Sequence, residues 1–282
     1  MLLGLRSRRC LLPALCLAVS TRLALAEAGS FRYEDWSRVL ATFVTDEGRV
    51  AYGALAADPT ELKAFLSRIA SEGPKTTPER FPGRPDRLAY YLNAYNALVF
   101  DGVLKRGPES ESVWKGGLVS GYSFFVGMKV RLDGGETNLK ALEDKLIRKG
   151  FADPRIHAAL NCASLGCPRL PREAFLPERL DEQLDGAMRE FVEEERNVSV
   201  DAAGRTVTLS KIFDWFEDDF LDFEKAHGNA NPVLLDYVNR YRTRETPIDR
   251  TFRVRFAPYD KRINARRPEA ALSPEGSGEA GR

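Results

Sequence analysis

The most reactive side chains of this sequence are gathered in one short stretch, residues 153–168. The stretch contains His157, one of two histidines in the chain, and two of its four cysteines, Cys162 and Cys167. The other two cysteines lie in an N-terminal segment that we expect to be removed. Thiol and imidazole chemistry in the mature protein is therefore expected here.

A disulfide is the first interpretation of Cys162 and Cys167. An exported protein with an even pair of cysteines usually oxidises them, and a turn at Gly166 would bring the two sulfurs together. The bridge would close a very short loop, so its contribution to stability would be only about 2 kcal/mol. On this interpretation the bridge shapes a loop of a binding or structural module.

Nucleophilic catalysis is the second interpretation. Cys162 would attack an acyl carbon as a thiolate while His157 shuttles the proton, as in a cysteine-dependent hydrolase or acyl transferase. Residues five apart face opposite sides of a strand and lie about 140° apart on a helix. The pair therefore needs a bend after Leu160, or its partner comes from elsewhere. Asn93 and Asn96 are candidates to orient the ring or to stabilise an oxyanion.

Metal binding is the third interpretation, with His157, Cys162 and Cys167 as three ligands of the softness that zinc prefers. Structural zinc sites need four ligands and the spacing matches no zinc pattern, so we expect no metal and no cofactor. A dithiol redox switch also stays open, although four residues rather than two separate the cysteines.

Polar residues near these motifs have two interpretations each. Asn93 and Asn96 are three apart on one face of an apolar helix, and they either hold a neighbouring loop by its backbone or belong to the site. Tyr95 lies between them as a core residue or as part of a binding surface. Asp153 forms a turn with the proline that follows it, and Arg155 binds a carboxylate of the substrate or of the protein itself.

Helices and short hairpins alternate along the chain without a βαβ rhythm. This pattern predicts an α+β fold, a single mixed domain of helices packed on short antiparallel strands. The strongest helix runs from Pro85 to Arg106. Phe124 to Leu132 predicts a strand interrupted by a glycine, and Val198 to Leu209 predicts a hairpin. The acidic run at 217–219 is typical of a solvated helix face.

The segment 1–26 predicts an export signal, because arginines precede an apolar run that is too short to span a bilayer. Its removal leaves 38 basic and 41 acidic residues, a net charge of −3. A near-neutral chain has no electrostatic reason to bind nucleic acid, so we expect a small-molecule or peptide ligand. We expect a globular domain at 27–265, a disordered tail at 266–282 and no membrane-spanning segment in the mature chain. The protein would act in the periplasm or outside the cell.

Two motifs together resemble a known family. Residues 91–98 read Tyr-Leu-Asn-Ala-Tyr-Asn-Ala-Leu, and residues 153–168 run from Asp-Pro-Arg-Ile-His to Cys-Ala-Ser-Leu-Gly-Cys-Pro. The chain is similar here to the family called domain of unknown function 547, over about residues 84–220. The resemblance implies that both motifs lie at the site and implies no reaction. The family tends to end with Tyr-Asp-Trp, whereas this chain has Lys261 in place of the tryptophan.

Overall fold

A computed structural model describes residues 29–115, 121–243 and 247–266. Its helices and short strands form a single mixed α+β domain, which confirms the predicted fold class. The export signal expected at 1–26 lies outside the described residues, and so does the expected tail apart from residue 266. Both stay predictions, as does the location of the protein outside the cytoplasm.

The α-helices of the described residues differ greatly in length. They are α1 (Glu34–Phe43), α2 (Tyr52–Ala57), α3 (Thr60–Ser71), α4 (Arg84–Arg106), α5 (Leu139–Ala141), α6 (Lys149–Phe151), α7 (Leu180–Glu193), α8 (Lys211–Trp215), α9 (Glu217–Ala226) and α10 (Leu234–Tyr241). Shorter helical turns lie between them: π-helical at Ser123–Gly127 and Leu142–Arg148, and 3₁₀ at Pro78–Arg80, Pro154–Ala158 and Pro177–Arg179. Across the described ranges, no helix is both long enough and apolar enough to cross a bilayer.

The strands form two small sheets. They are β1 (Val130–Leu132) and β2 (Gly135–Thr137) in one, and β3 (Val198–Asp201), β4 (Thr206–Leu209) and β5 (Arg253–Phe256) in the other. β1 pairs with β2 and β3 pairs with β4, both antiparallel, and the second pair is the predicted hairpin. β5 joins β4 in parallel, a pairing that the expectation of antiparallel strands did not include. Parallel strands need a crossover connection, which α8, α9 and α10 supply.

Helix α4 is the central element of the larger core, and it confirms the strongest helix predicted from the sequence. At its start the Gly83 N–H donates to the Asp86 carboxylate, and Pro85 occupies the first turn, where its missing N–H is not needed. The helix ends at Gly107, whose φ of 113° is easily adopted only by glycine. Its buried side chains pack against α2, α3 and the π-helical turn Leu142–Arg148.

The strand predicted from Phe124 to Leu132 is wrong over its first half. Residues Ser123–Gly127 form a π-helical turn, and β1 begins only at Val130. Phe124 and Phe125 are both buried, whereas a strand would turn consecutive side chains to opposite faces. The packing of these two rings in the core therefore outweighs the preference of phenylalanine for strands.

The buried apolar residues form two clusters, and the reactive stretch lies between them. The larger cluster surrounds α4, and the smaller one lies among α7, the β3–β4 hairpin and α8 to α10. Ile156 and Ala159 pack in the larger cluster, while Ala158 packs in the smaller one. The 3₁₀ turn Pro154–Ala158 is therefore held from both sides, which fixes the position of His157 within it.

Candidate functional site

The segment that carries His157 begins with a capped turn. The carboxylate of Asp153 accepts a hydrogen bond from the backbone N–H of Arg155 at 3.1 Å, and a proline occupies the first turn. The sequence predicted a turn at Asp153 and the proline that follows it, and the 3₁₀ turn starts there. His157, Leu160 and Cys162 all line one cavity, so the imidazole and the thiol reach the same cavity.

The cavity has a volume of about 570 Å³, which lies in the range of small-molecule sites. Of the residues predicted for the site, Tyr95, His157, Cys162 and Cys167 line it. Other parts of the chain contribute lining residues that no sequence motif marked. Among them are Trp114, Glu143, Arg148, Trp215 and Phe216.

His157 is buried and hydrogen-bonded to Asp219. Its Nε2 lies 2.7 Å from Oδ2 of Asp219, and its ring stacks on Phe216 with the centroids 4.1 Å apart. Burial lowers the pKa of His157 below its ordinary value, although the carboxylate acts in the opposite direction. The ring is therefore neutral at pH 7. Nε2 then carries the proton that Asp219 accepts, and Nδ1 is the basic nitrogen.

Asp219 is held in turn by Arg148. Nε and Nη2 of the guanidinium donate to the two carboxylate oxygens at 2.8 Å and 3.1 Å. Burial raises the pKa of Asp219, but the hydrogen bonds from His157 and Arg148 outweigh it and lower the pKa to about 2. The interpretation of the acidic run as a solvated face is therefore wrong for Asp219, although Glu217 and Asp218 are exposed.

The two cysteines carry free thiols, so the prediction of a disulfide is wrong. Sγ of Cys167 instead lies against the backbone. It accepts hydrogen bonds from the N–H groups of Cys162 at 3.0 Å and Ser164 at 3.4 Å. The hydroxyl of Tyr259 lies 3.0 Å from Sγ of Cys162 and 3.1 Å from Sγ of Cys167. The two thiols and this hydroxyl therefore form one hydrogen-bonded group on the cavity wall.

The two thiols differ in acidity and in exposure. Burial raises the pKa of Cys162, and the neighbouring Cys167 raises it further. Burial acts in the same direction on Cys167, but hydrogen bonds from Cys162, Tyr259 and the backbone outweigh it and lower the pKa of this thiol. Cys162 is half-buried, whereas Cys167 is buried. The more accessible sulfur is thus the less acidic one.

The two asparagines of α4 bind backbone groups. The side chain of Asn93 donates to the carbonyl of Phe175 at 2.7 Å and accepts from its N–H at 3.0 Å. Asn96 donates to the carbonyl of Ala159 at 3.0 Å and accepts from the N–H of Asn161 at 2.9 Å. Both contacts agree with the interpretation that these amides hold neighbouring loops, and neither side chain lines the cavity. Only Asn96 holds the stretch that carries the cysteines.

Arg155 and Asp153 bind each other and do not line the cavity. Nε and Nη2 of Arg155 donate to the two oxygens of Asp153 at 3.0 Å and 2.7 Å. Further hydrogen bonds from the guanidinium reach Asp185 at 2.8 Å and Asp181 at 2.9 Å, both on α7. The carboxylates bound by Arg155 therefore come from the protein, and they fasten the 3₁₀ turn to α7.

Tyr95 lines the cavity beside a carboxyl group. Its hydroxyl donates to Oε2 of Glu143 at 3.1 Å. Glu143 lies on the π-helical turn Leu142–Arg148, a geometry that is frequent at functional sites. Burial raises the pKa of Glu143, so it retains a proton to a higher pH than an exposed glutamate does.

Aromatic rings form one wall of the cavity. The ring of Trp114 lies 5.0 Å from Phe125, 6.1 Å from Trp215 and 6.0 Å from Tyr259, measured between centroids. Nζ of Lys261 stands 5.1 Å from the centroid of the Trp114 ring. The wall therefore suits an apolar or planar group. The lysine that replaces the aromatic residue of the family pattern adds a positive charge beside it.

The residues of the zinc interpretation do not surround one point. Within the described ranges, no group of three or more histidine, cysteine or acidic side chains is arranged to hold a metal ion. Nε2 of His157 is directed to Asp219, and the sulfur of Cys167 is directed to backbone N–H groups.

Comparison with known proteins gives one match. Residues 78–192 match the family model described as Protein of unknown function, DUF547. The match supports a DUF547 domain over these residues. This confirms the family that the two sequence motifs indicated, although the match starts earlier and ends earlier than the expected 84–220. No curated protein and no solved structure matches the chain.

The DUF547 match contains only part of the site. It includes Tyr95, His157 and both cysteines, but Asp219 and Tyr259 lie beyond its last residue. The first residue of the Tyr-Asp-Trp ending of the family pattern corresponds to Tyr259. For Asp219 the available signal was slight: its acidic run interrupts an aromatic-rich segment, which places a carboxylate next to buried rings.

Proposed function

We propose that the protein is a cysteine-dependent hydrolase or acyl transferase with Cys162 as its nucleophile. The observation that carries this proposal is one shared cavity, lined by a free thiol and by a buried imidazole that has Asp219 2.7 Å from Nε2. A carboxylate bound to His157 fixes the tautomer of the ring and stabilises it when it takes a proton. Nucleophilic acyl transfer requires such an oriented base near a thiol.

The reaction begins when Sγ of Cys162 attacks the carbonyl carbon of the bound substrate and gives its proton to a base. A carbon–sulfur bond forms, and the tetrahedral intermediate then loses the leaving group, which takes up a proton. A thioester on Cys162 remains. Water, or a second nucleophile in a transferase, attacks this thioester while Nδ1 of His157 accepts its proton. Cys162 leaves as a thiol after His157 passes that proton to it.

Asp219 and Arg148 are positioning residues in this scheme. Because hydrogen bonds lower the pKa of Asp219 to about 2, the residue stays a carboxylate throughout the reaction. It can then stabilise the imidazolium that forms when His157 accepts a proton. The two hydrogen bonds from Arg148 hold the carboxylate in the plane that Nε2 of His157 requires.

The cavity favours a small acyl compound or the end of a peptide as substrate. Its volume of about 570 Å³ suits a molecule of small-ligand size. The aromatic wall around Trp114 suits an apolar or planar part of that molecule. Glu143 and Lys261 offer a carboxyl and an ammonium group on the lining, so a substrate with polar groups at both positions would be oriented.

A second candidate function is ligand binding without catalysis. In its favour, the hydrogen bonds of the described residues join His157 to Asp219 and not to Cys162, and burial raises the pKa of this thiol. The aromatic wall and the Tyr95–Glu143 pair would then bind a small molecule or peptide that leaves unchanged.

Turnover of 4-nitrophenyl esters, thioesters and short peptide anilides separates the two functions. We expect Cys162→Ala to abolish turnover and His157→Gln to lower kcat by about 10²–10⁴-fold. His227→Gln is the matched control, because His227 follows α9, bonds to the carbonyl of Phe223 and does not line the cavity. Full turnover by Cys162→Ala would refute the nucleophile. Binding of these compounds by the wild-type protein without turnover would favour the binding function.

A further inference from the structure

The backbone around Cys162 forms a small donor site that the sulfur of Cys167 fills. Ala163 has a φ of 61°, in the left-handed region, and its N–H is bound by the side chain of Asn161 at 2.8 Å. A left-handed residue at this position turns the N–H groups on either side of it toward one point, as in backbone nests that bind anions. The N–H groups of Cys162 and Ser164 lie 3.0 Å and 3.4 Å from Sγ of Cys167.

A third donor completes this site. The hydroxyl of Tyr259 lies 3.1 Å from Sγ of Cys167. A neutral thiol is a weak acceptor, so a set of converging donors of this kind suits a thiolate. Sγ of Cys162 contacts the hydroxyls of Tyr259 and Ser164, at 3.0 Å and 3.7 Å, and within the described residues it accepts from no backbone N–H. The donors therefore stabilise a negative charge on Cys167 more than on Cys162.

We propose that Cys167 is a further catalytic residue, the base that removes the proton from the thiol of Cys162. This inference rests on the proposed function. In the resting protein Cys167 is the thiolate and Cys162 the thiol, so the pair holds one proton. As Sγ of Cys162 attacks the acyl carbon, its proton moves to Sγ of Cys167 and then to the leaving group. Neither sulfur changes its oxidation state, and His157 acts on water in the second half of the reaction.

This division of roles accounts for the contacts of His157. Its Nε2 is bound to Asp219, and the hydrogen bonds of the described residues do not connect its ring to either thiol. Cys162 therefore needs another base in contact with it. The pKa directions agree, because the pKa of Cys162 is raised and that of Cys167 is lowered.

The other groups around the thiol pair favour a single negative charge on it. The titratable and charged side chains that contact it or line a cavity with it include Tyr52, Tyr95, Tyr259, Lys140, Glu143, Arg148, His157, Lys261, Glu194 and Arg196. Burial raises the pKa of each of these tyrosines, so they stay neutral. The guanidinium of Arg196 donates to the carbonyl oxygen of Cys167 at 3.2 Å and pairs with the carboxylate of Glu194 at 2.6 Å, which offsets its positive charge on this side.

The rate at which iodoacetamide alkylates Cys162, measured against pH on the full chain, tests this inference without a substrate. Peptide mass spectrometry assigns the label to each cysteine separately. In the wild-type protein we expect the midpoint of the Cys162 profile well below 9.0, the ordinary value for a thiol. The pKa of Cys162 itself is raised, but its reaction rate should follow the formation of the Cys167 thiolate, the base that accepts its proton. Cys167→Ser should raise this midpoint by at least about one pH unit and slow the reaction at pH 7 about tenfold.

Further results make the outcome decisive. A wild-type midpoint at or above 9.0 would overturn the inference even where Cys167→Ser does not fold, and so would an unchanged midpoint in folded Cys167→Ser. Tyr259→Phe, which removes one of the three donors, should raise the midpoint by a smaller amount. Turnover by the wild-type protein, combined with an unchanged midpoint in Cys167→Ser, would refute Cys167 as the base and still support Cys162 as the nucleophile. A low midpoint that depends on Cys167, without any turnover, would support Cys167 as the base for Cys162 and refute the proposed hydrolase or acyl transferase function.

Discussion

Nε2 of His157 lies 2.7 Å from Oδ2 of Asp219, although 62 residues separate the two in the chain. His157 belongs to a 3₁₀ turn held by both hydrophobic clusters, and Asp219 belongs to α9 in the smaller cluster. Phe216 stacks on the imidazole, and its ring also lies 4.6 Å from the guanidinium carbon of Arg148. These contacts orient His157. Among the described residues it is the one histidine that lines the cavity.

The carboxylate of Asp219 should be necessary for turnover. Asp219→Asn should lower kcat by about 10²–10⁴-fold with little change in KM, because an amide can donate to Nε2 and stabilise the wrong tautomer of His157. Steady-state kinetics on an ester that the wild-type protein hydrolyses measure this effect. Asp218→Asn is the control, since Asp218 is exposed in the same helical turn. Equal losses in both variants would contradict a specific role for Asp219.

The protein should lose stability as the pH falls below 6.5, the ordinary pKa of histidine. Burial lowers the pKa of His157 in the folded protein, so between that lowered pKa and 6.5 only the unfolded chain binds the proton. Acidification across this window therefore favours unfolding, and the effect of this residue ends below the folded pKa. Urea unfolding at a series of pH values measures it. His157→Gln should flatten the dependence and His227→Gln should not; coincident curves for wild type and His157→Gln would refute the prediction.

Asn93 and Asn96 should both matter for stability, but only Asn96 for turnover. Each alanine variant leaves a buried carbonyl and a buried N–H without their partner, so the free energy of unfolding should fall by about 2–4 kcal/mol. Asn96→Ala should also lower kcat, because Asn96 holds the backbone of Ala159 and Asn161 just before Cys162. Denaturant unfolding and kinetics on the folded fraction separate the two effects. A larger loss of kcat in Asn93→Ala would show that this assignment is wrong.

Arg155 should contribute to the stability of the folded protein and not to substrate binding. Arg155→Lys keeps the charge but loses the forked contact with Asp153, so the free energy of unfolding should fall by about 1–3 kcal/mol. Because Arg155 does not line the cavity, KM and kcat should stay close to the wild-type values. Thermal unfolding and ester kinetics check both statements. A large rise in KM without loss of stability would instead support a bond from Arg155 to a substrate carboxylate.

The parts of the site that could be predicted from the sequence are those encoded locally. The spacing of apolar residues gave helix α4, and the proline and glycine at its ends set its bounds. The scarcity of cysteine and histidine located the reactive stretch, and His157 and Cys162 do line one cavity. For Asn96 the sequence left two interpretations open, a loop contact or a place in the site, and the hydrogen bonds to Ala159 and Asn161 agree with the first.

The parts that could not be predicted depend on contacts between distant segments. No local pattern pairs Asp219 with His157, because a fully exposed acidic run and a run with one partly buried, hydrogen-bonded carboxylate look the same in the sequence. The disulfide was expected from the number of cysteines. Instead, the backbone N–H groups on either side of Ala163 donate hydrogen bonds to the sulfur of Cys167. The strand expected at Phe124 failed because two consecutive rings are both buried in the core.

The mass of the intact protein after reaction with a 4-nitrophenyl ester, quenched in acid, tests the central claim most directly. We predict the gain of one acyl group, which fragmentation assigns to Cys162. The adduct should be absent from Cys162→Ala and should accumulate in His157→Gln, because hydrolysis of the thioester needs the imidazole. An acyl group that appears equally in Cys162→Ala, or no acyl group on the wild-type protein with any ester of the series, would contradict Cys162 as the nucleophile.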